Sequence, residues 1–288
     1  MNCPVCQSDM FETKFKKNGL DIAECKECTH QFTDMEASPQ CIKEIYSDDY
    51  FFNGGAGYED YTLEKEMLIR RGEYYAKKIR PFITSGDMMD VGAAAGFILK
   101  GFQNKGWDGI GIEPNASLVA FGKKDLGLKL IQGTLETVEV DDKFDLISII
   151  QVIAHLYDLE TALDRLDNFL KPGGFVLIET WNKDSLTARI FGSAWHEYSP
   201  PSTLNYFSKR TLDILMNQGG LSLVASGTPK KSIHSKHAKS LIKHKLGESK
   251  ALMWMMPLTN LIPGNVVLPY PSEDLFWALY KKKGHDGR

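Results

Sequence analysis

The stretch that most constrains the fold of this chain lies at residues 88–97, where a short apolar run ends in Asp90 and continues as Gly92-Ala-Ala-Ala-Gly96. A loop of such small residues lets the backbone approach a ligand that larger side chains would block. Glu113 ends the next apolar run, 23 positions after Asp90. A carboxylate there can accept hydrogen bonds from both hydroxyls of a ribose. The pattern predicts a strand, loop, helix and strand that bind an adenosine-bearing cofactor.

The glycine spacing bears on which cofactor this is. A dinucleotide fingerprint has the pattern G-x-G-x-x-G, with glycine at the close approach to a pyrophosphate. Here only Gly92 and Gly96 are glycines and alanines lie between them, so a pyrophosphate is disfavoured. A nicotinamide-dependent sugar enzyme stays open as an alternative.

The order acid, glycine loop, helix, strand and acid resembles motifs I and II of the class I S-adenosylmethionine-dependent methyltransferases. Three later segments resemble the same family in the same order. Residues 133–136 match its adenine-contacting loop, 144–155 its fourth strand and following loop, and 170–178 its Leu-x-Pro-Gly-Gly turn and fifth strand. The resemblance covers about residues 62–226.

This resemblance implies that S-adenosyl-L-methionine is the cofactor and that motif residues hold it. The candidates are Asp90, Gly92, Ala93, Gly96, Phe97, Glu113, Pro114, Thr134, Leu135, Gln151 and Val152. The chain departs from the family at Ala94, where a third glycine is usual, and at Ala154, where relatives often carry Glu before the histidine.

Strand-like and helix-like segments alternate from residue 87 to 180, which predicts a parallel sheet with its ligand at the carboxyl ends of the strands. With the resemblance, the expected fold is α/β: a Rossmann-like sheet of six parallel strands and one antiparallel strand, with helices on both faces. Residues 221–225 and 276–280 are its expected sixth and antiparallel seventh strands. A helix over 62–82 is expected to bury Leu63, Met67, Tyr74 and Ile79.

A separate signal comes from the cysteines at the start of the chain. Cys3, Cys6, Cys25 and Cys28 form two C-x2-C pairs separated by 18 residues, which is typical of a four-cysteine structural zinc site on a small ribbon. Two disulfides are the alternative, but a fifth cysteine, Cys41, would stay unpaired and no secretory signal precedes Cys3. His30 is expected to be a surface residue. Reduced cysteines favour a cytoplasmic protein. It is expected to be peripheral to the inner membrane face if the insertion described below contacts that face.

Four regions follow: the zinc ribbon (1–35), an aromatic linker or cap (36–61), a methyltransferase core (62–229 and 273–288) and an insertion (230–272). The linker carries Tyr46, 50–52 and 57–61, which resemble the linker of zinc-ribbon methyltransferases. The insertion has seven lysines and one glutamate in its first half and no charge at 251–272. It is expected to be either a lid or a basic helix with an apolar hook on an anionic membrane.

Methyl transfer to a hydroxyl needs a base near the acceptor. His155, His196 and Tyr206 are the candidates, in the loops after the fourth and fifth strands. The resemblance implies a small-molecule or glycan acceptor with a reactive hydroxyl or carbon, such as a sugar or lipid-linked glycan. A net charge of −3 argues against nucleic acid as a partner. An RNA methyltransferase that grips RNA with its ribbon and a catalytically inactive binding module remain alternatives.

Overall fold

The computed structural model describes residues 2–48, 64–229, 231–234, 267–270 and 272–283. The chain begins with an antiparallel ribbon of β1 (Phe11–Lys17), β2 (Leu20–Cys25) and β3 (Gln31–Asp34). Helix α1 (Pro39–Ile45) follows, and the Ser38 side chain caps it by accepting from the Cys41 amide. This helix lies in the segment expected to be a linker.

A seven-stranded mixed sheet forms the centre of the molecule. Its strands in chain order are β4 (Asp87–Val91), β5 (Asp108–Glu113), β6 (Leu130–Gln132), β7 (Phe144–Ile150), β8 (Leu170–Trp181), β10 (Leu221–Gly227) and β13 (Leu275–Lys282). Their order across the sheet is β10-β13-β8-β7-β4-β5-β6. Only β13 runs antiparallel to its neighbours among these seven. The expected Rossmann-like sheet is confirmed.

Helices connect the strands and cover both faces of this sheet. They are α2 (Lys65–Ile79), α3 (Phe97–Gln103), α4 (Ala116–Leu126), α5 (Leu159–Phe169), α6 (Leu186–Phe191) and α7 (Lys209–Gln218). Asn115, Asp158 and Ser208 begin three of them, and each side chain accepts from a backbone amide three residues later. These caps satisfy amides that have no partner inside the helix.

The buried face of α2 differs from the expected one. Leu68, Gly72, Tyr75 and Ile79 are buried, whereas Met67 is 41% exposed. The contact with α3 explains this difference, because a Cβ on Gly72 would lie 2.2 Å from the Ile98 carbonyl oxygen. A periodic pattern of large side chains did not reveal that a glycine marks the closest approach of the two helices.

Two short strands lie inside the insertion. β11 (Lys231–His234) pairs in antiparallel fashion with β12 (Val267–Tyr270). The prediction of a basic helix is therefore wrong for the four residues of β11. Residues 267–270 of the predicted hook form β12, and the rest of the predicted helix and residues 251–266 of the hook lie outside the described residues. None of the helices in the described ranges has the length and apolar character needed to cross a bilayer.

One further short strand, β9 (Asn205–Tyr206), belongs to the ribbon although it lies far along the chain. It pairs with β3, which gives a four-stranded sheet with the order β1-β2-β3-β9. Ribbon residues Cys3, Val5 and Phe32 also share one continuous buried core with Phe207 and Met216 of the main domain. The ribbon and the main domain are thus packed together.

Candidate functional site

A cavity of about 670 Å³ opens at the carboxyl ends of β4, β5 and β7. Parallel strands present their carboxyl ends at the same edge, which is where α/β proteins bind ligands. Asp90 and Glu113 lie at this edge and both are buried. Gly92 turns the chain away from β4 with a φ of 65°. A Cβ at Gly92 would lie 2.5 Å from Val152, so this position requires glycine.

Two non-glycine residues at the cavity also adopt left-handed backbone conformations. These are Ala94, with φ 49°, and Gln151, with φ 60°. Such conformations are unfavourable for residues that carry a Cβ, and they cluster at functional sites. Ala94 occupies the position where the family usually has glycine, and its backbone nevertheless adopts a conformation that glycine favours.

The carboxylate of Glu113 is oriented by backbone amides. Its two oxygens accept hydrogen bonds from the amides of Ala94 and Asn115, both at 2.9 Å. Burial raises the pKa of Glu113 to about 7, against the lowering effect of these two bonds. Each oxygen keeps a further lone pair. Glu113 can therefore accept hydrogen bonds from a ligand without losing the bonds that orient it.

Asp90 lies at the end of the adjacent strand in a similar environment. Its Oδ1 accepts from the Ser148 hydroxyl at 2.5 Å. Burial raises the pKa of Asp90 to about 7 as well. The two acids therefore form a buried pair at the cavity floor, and each resists ionisation when no cationic or hydrogen-bonding ligand compensates its charge.

Three buried polar atoms on cavity-lining residues have no hydrogen-bond partner within the described part of the chain: Asp90 Oδ2, Glu136 Oε2 and Gln151 Nε2. Buried polar groups are nearly always paired, because an unpaired group costs about 1–3 kcal/mol. Two acceptors and one amide donor thus remain for a polar ligand. A nucleoside joined to an amino acid carries complementary hydroxyl, amino and carboxylate groups, and these residues fit S-adenosyl-L-methionine.

Most of the residues predicted to hold the cofactor lie together on the cavity. Those on its lining are Asp90, Gly92, Ala93, Glu113, Pro114, Thr134, Leu135, Gln151 and Val152. Gly96 and Phe97 do not line it. A Cβ at Gly96 would lie 2.3 Å from Leu128, and Phe97 is fully buried beside Phe121. Gly96 thus contributes to the packing at the start of α3, whereas Gly92 lines the cavity. The spacing of the two glycines in the sequence did not show this difference.

Sequence reasoning missed several lining residues. Arg71 on α2 pairs with the buried carboxylate of Glu179, which also accepts from the Tyr75 hydroxyl. Nothing in the sequence singles out Arg71 among the other basic residues of its helix. Glu136 was more accessible to prediction, because it follows directly on Thr134 and Leu135.

The rest of the cavity lining comes from the end of α1, the loop after β7, and the end of β8 with the segment that follows it. Its polar and aromatic lining residues are Tyr46, His155, Trp181, His196, Glu197, Ser199, Ser202 and Thr203. His155 Nδ1 lies 2.7 Å from the Ser202 carbonyl oxygen. Since a carbonyl oxygen only accepts, Nδ1 carries the proton and Nε2 keeps its lone pair. Burial lowers the pKa of His155 from 6.5, so the ring is neutral at pH 7.

The three base candidates occupy different environments. His196 is exposed and packs edge-on against Trp181, with ring centroids 4.6 Å apart. Tyr206 does not line the cavity. Its buried hydroxyl lies 3.1 Å from Thr33 Oγ1 and donates to the Thr203 carbonyl oxygen at 3.1 Å. Tyr206 therefore joins the ribbon to the main domain, and of the three candidates His155 and His196 line the cavity.

The four predicted metal ligands lie together in the ribbon. Sulfur atoms of Cys3, Cys6, Cys25 and Cys28 all lie within 4.8 Å of one another, which is a cluster that can hold a metal ion. His30 is fully buried, contrary to expectation. Its Nε2 lies 3.3 Å from Asn205 Oδ1 of β9. Its role is in the contact between the ribbon and the main domain.

The family model described as a methyltransferase domain matches residues 66–226, which is more than half of the chain. This chain belongs to that family and is an S-adenosylmethionine-dependent methyltransferase. The ubiquinone biosynthesis O-methyltransferase of Bradyrhizobium sp. (strain ORS 278) is 26% identical over 56% of this chain and 70% of its own length. Its namesake from Nitrobacter winogradskyi is 32% identical over 34% of this chain and 39% of its own length. The chain thus spans only part of the curated relatives that it matches.

Solved structures support the same fold. A possible histamine N-methyltransferase of Thermotoga maritima superposes with a TM-score of 0.51 at 18% identity, covering 84% of this chain and all of that chain. The 1,6-didemethyltoxoflavin-N1-methyltransferase of Burkholderia thailandensis, solved with its substrate and S-adenosylhomocysteine, gives 0.52 at 12% identity, covering 94% and 99%. At these identities the likeness concerns the fold.

The buried acids predict a pH dependence of stability in the cofactor-free protein. A carboxyl group whose pKa is raised by folding keeps its proton where the unfolded chain has lost it. The free energy of unfolding should therefore fall as pH rises from about 4 to about 7. Asp90→Asn removes the contribution of Asp90 to this fall in the free energy of unfolding. We expect its stability relative to the wild type to rise by about 1–3 kcal/mol between pH 5 and pH 8.

Urea unfolding at both pH values measures this difference. Asp142→Asn, at an exposed position, is the control and should follow the wild type. Parallel behaviour of wild type and Asp90→Asn would contradict the assignment of a raised pKa to Asp90.

Proposed function

We propose that this methyltransferase transfers the methyl group to a hydroxyl of a small molecule, with His155 as the general base. The observation that carries the proposal is the hydrogen bond from His155 Nδ1 to the Ser202 carbonyl oxygen, which leaves Nε2 as an acceptor at the cavity wall. Because burial lowers the pKa of His155, its ring is neutral at pH 7, and Nε2 can accept a proton.

The residues at the sheet edge would hold S-adenosyl-L-methionine. Glu113 would accept from the ribose hydroxyls, and residues 133–136 would contact the adenine. Asp90, Gln151 and the Arg71–Glu179 pair would then lie nearer the amino-acid end. Bound cofactor supplies a methyl group on a positively charged sulfur, which keeps the bonding electron pair when the methyl group moves to oxygen.

The chain's own residues contribute position and proton transfer. The walls of the cavity would position the acceptor hydroxyl next to the bound cofactor, and such positioning can lower a barrier by about 7–11 kcal/mol. His155 Nε2 takes the hydroxyl proton as the new carbon–oxygen bond forms. The Ser202 carbonyl holds the ring in place and stabilises the imidazolium that results.

The part of the cavity lining formed by Tyr46, His155, Trp181, His196, Glu197, Ser199, Ser202 and Thr203 is called the acceptor wall. Its side chains favour a ring-shaped acceptor that carries hydroxyl groups. Tyr46 and Trp181 supply aromatic surfaces, and Glu197, Ser199 and Thr203 supply hydrogen-bonding groups. The names of the curated relatives support oxygen as the methylated atom. A sugar or lipid-linked glycan is one such acceptor. Contact with a membrane through 230–272 stays a prediction, because most of that segment lies outside the described residues.

The ribbon is proposed to bind one zinc ion with a structural role. Tetrahedral coordination with bonds of about 2.3 Å places sulfurs about 3.8 Å apart. The Cys3–Cys28 and Cys6–Cys25 sulfurs lie 3.5 and 3.4 Å apart, close to that spacing. Four thiolates complete the coordination sphere, so no position is left for a substrate.

The base assignment is tested by comparing His155→Gln with His196→Gln. Methyl transfer from radiolabelled S-adenosylmethionine to a panel of hydroxylated aromatic compounds and sugars identifies an acceptor first. With that acceptor we expect His155→Gln to lower kcat by about 10²–10⁴-fold. His196→Gln should change mainly KM, because His196 is exposed at the acceptor wall. The reverse result would assign the base to His196.

The role of Glu113 is tested by calorimetry with S-adenosylhomocysteine. Glu113→Ala should weaken binding by about 1.5–3 kcal/mol, the usual cost of losing hydrogen bonds to a charged group. Glu139→Ala, whose side chain is 82% exposed, is the matched control and should bind normally. Equal affinities for the two variants would remove Glu113 from the cofactor site.

The metal is tested by elemental analysis of purified variants. Replacing both Cys25 and Cys28 by Ser should abolish zinc binding and destabilise the ribbon, because metal affinity contributes to the folding of such small modules. Cys41→Ser should keep one zinc per chain, since Cys41 lies outside the cluster. Retention of a full equivalent in the double variant would disprove this ligand set.

A further inference from the structure

The ribbon makes direct contacts with the segment that forms the acceptor wall. β3 pairs with β9, so that Gln31 lies opposite Tyr206 and Phe32 opposite Asn205. This pairing joins residues more than 170 positions apart in the chain. Neither the proposed structural role of the metal nor the proposed methyl transfer requires the pairing of β3 with β9. Because this pairing lies close to the loop that carries His155, it can affect that residue.

Thr33 forms the centre of this contact. Its backbone amide donates to the Leu204 carbonyl oxygen at 2.9 Å, and its hydroxyl donates to the Thr203 carbonyl oxygen at 2.8 Å. The same hydroxyl lies 3.1 Å from the Tyr206 hydroxyl. Thr33 is 4% exposed, so these bonds form away from water. The Thr203 carbonyl oxygen also accepts from the Tyr206 hydroxyl at 3.1 Å, and the bond from Thr33 is the shorter of the two.

The other side of the same segment holds the loop that carries His155. Leu204 donates its amide to the Ala154 carbonyl oxygen at 2.9 Å, and Asn205 donates to the Leu156 carbonyl oxygen at 2.9 Å. The two bonds flank His155. The Ser202 carbonyl oxygen accepts from His155 Nδ1 at 2.7 Å and from the Tyr46 hydroxyl at 3.0 Å. Residues 202–205 thus connect the ribbon to the imidazole ring.

We propose that Thr33 of the ribbon is a positioning residue for His155. By fixing the carbonyls of Thr203 and Leu204, it holds the Ser202 carbonyl where it selects the Nδ1-protonated tautomer of His155. The ribbon is then part of the acceptor site. This inference rests on the proposed role of His155 as base, although its main test does not depend on turnover.

The test is the tautomer of His155, read from long-range ¹H–¹⁵N correlation spectra of ¹⁵N-histidine-labelled protein. The chain has seven histidines, and the signals lost in His155→Gln identify His155. We expect the Nδ1-protonated pattern in the wild type. Thr33→Val removes the hydroxyl at nearly constant volume and should shift the ring toward the Nε2-protonated tautomer. With an acceptor identified, kcat should fall by about 10–100-fold.

Two matched variants separate positioning from folding. Thr33→Ser keeps the hydroxyl and should restore both the spectrum and turnover. Thr13→Val makes the same exchange at an exposed position of the same ribbon and should have no effect. Affinity for S-adenosylhomocysteine should stay unchanged in all three variants, because Thr33 and Thr13 do not line the cavity.

Each outcome has a distinct meaning. A wild-type His155 spectrum in folded Thr33→Val would overturn the positioning role whatever the function of His155. If His155→Gln were fully active while Thr33→Val changed the tautomer, the proposed base would be wrong and the coupling would stand. Loss of cofactor affinity in Thr33→Val would mean general destabilisation, and would contradict the inference.

Discussion

The site depends on the burial of two carboxylates at the ends of adjacent parallel strands. Asp90 and Glu113 are removed from water by the same sheet edge that brings the glycine turn and the Gln151 loop together. Backbone amides and Ser148 compensate this burial only in part, since the pKa of each acid is raised to about 7. A ligand rich in hydroxyl and amino groups supplies the missing partners. In the proposed cofactor site, ligand binding and local stability would therefore be linked by the same atoms.

A second constraint is the strand pairing between the ribbon and the acceptor wall. Metal sites of the four-cysteine type usually stabilise a small module that lacks a core of its own. Here Cys3 and Cys25 instead share a core with Phe207 of the main domain. The ribbon and the segment around Ser202 are consequently in direct contact.

Where sequence reasoning was inaccurate, a contact between distant segments was the cause. Met67 was expected inside and is 41% exposed, because α2 approaches α3 through Gly72. Gly96 was assigned to the ligand; it does not line the cavity, and a Cβ there would lie 2.3 Å from Leu128. Tyr206 was proposed as a base, but it does not line the cavity and its hydroxyl donates to the Thr203 carbonyl oxygen. In each case the sequence did not show which distant residue lies against these positions.

The sequence by itself determined the succession of strands and helices along the chain, the glycine turn with its distant acid, and the four-cysteine cluster. These features are encoded by spacing over a few residues or by repeated strand and helix periods, so they can be read without knowing any contact. Only the tertiary structure decided that the ribbon contacts the acceptor wall and that Ser202 sets the tautomer of His155. The Thr33 and Thr203 partners are 170 positions apart. A hydrogen bond between a threonine and a backbone carbonyl leaves no pattern in either segment.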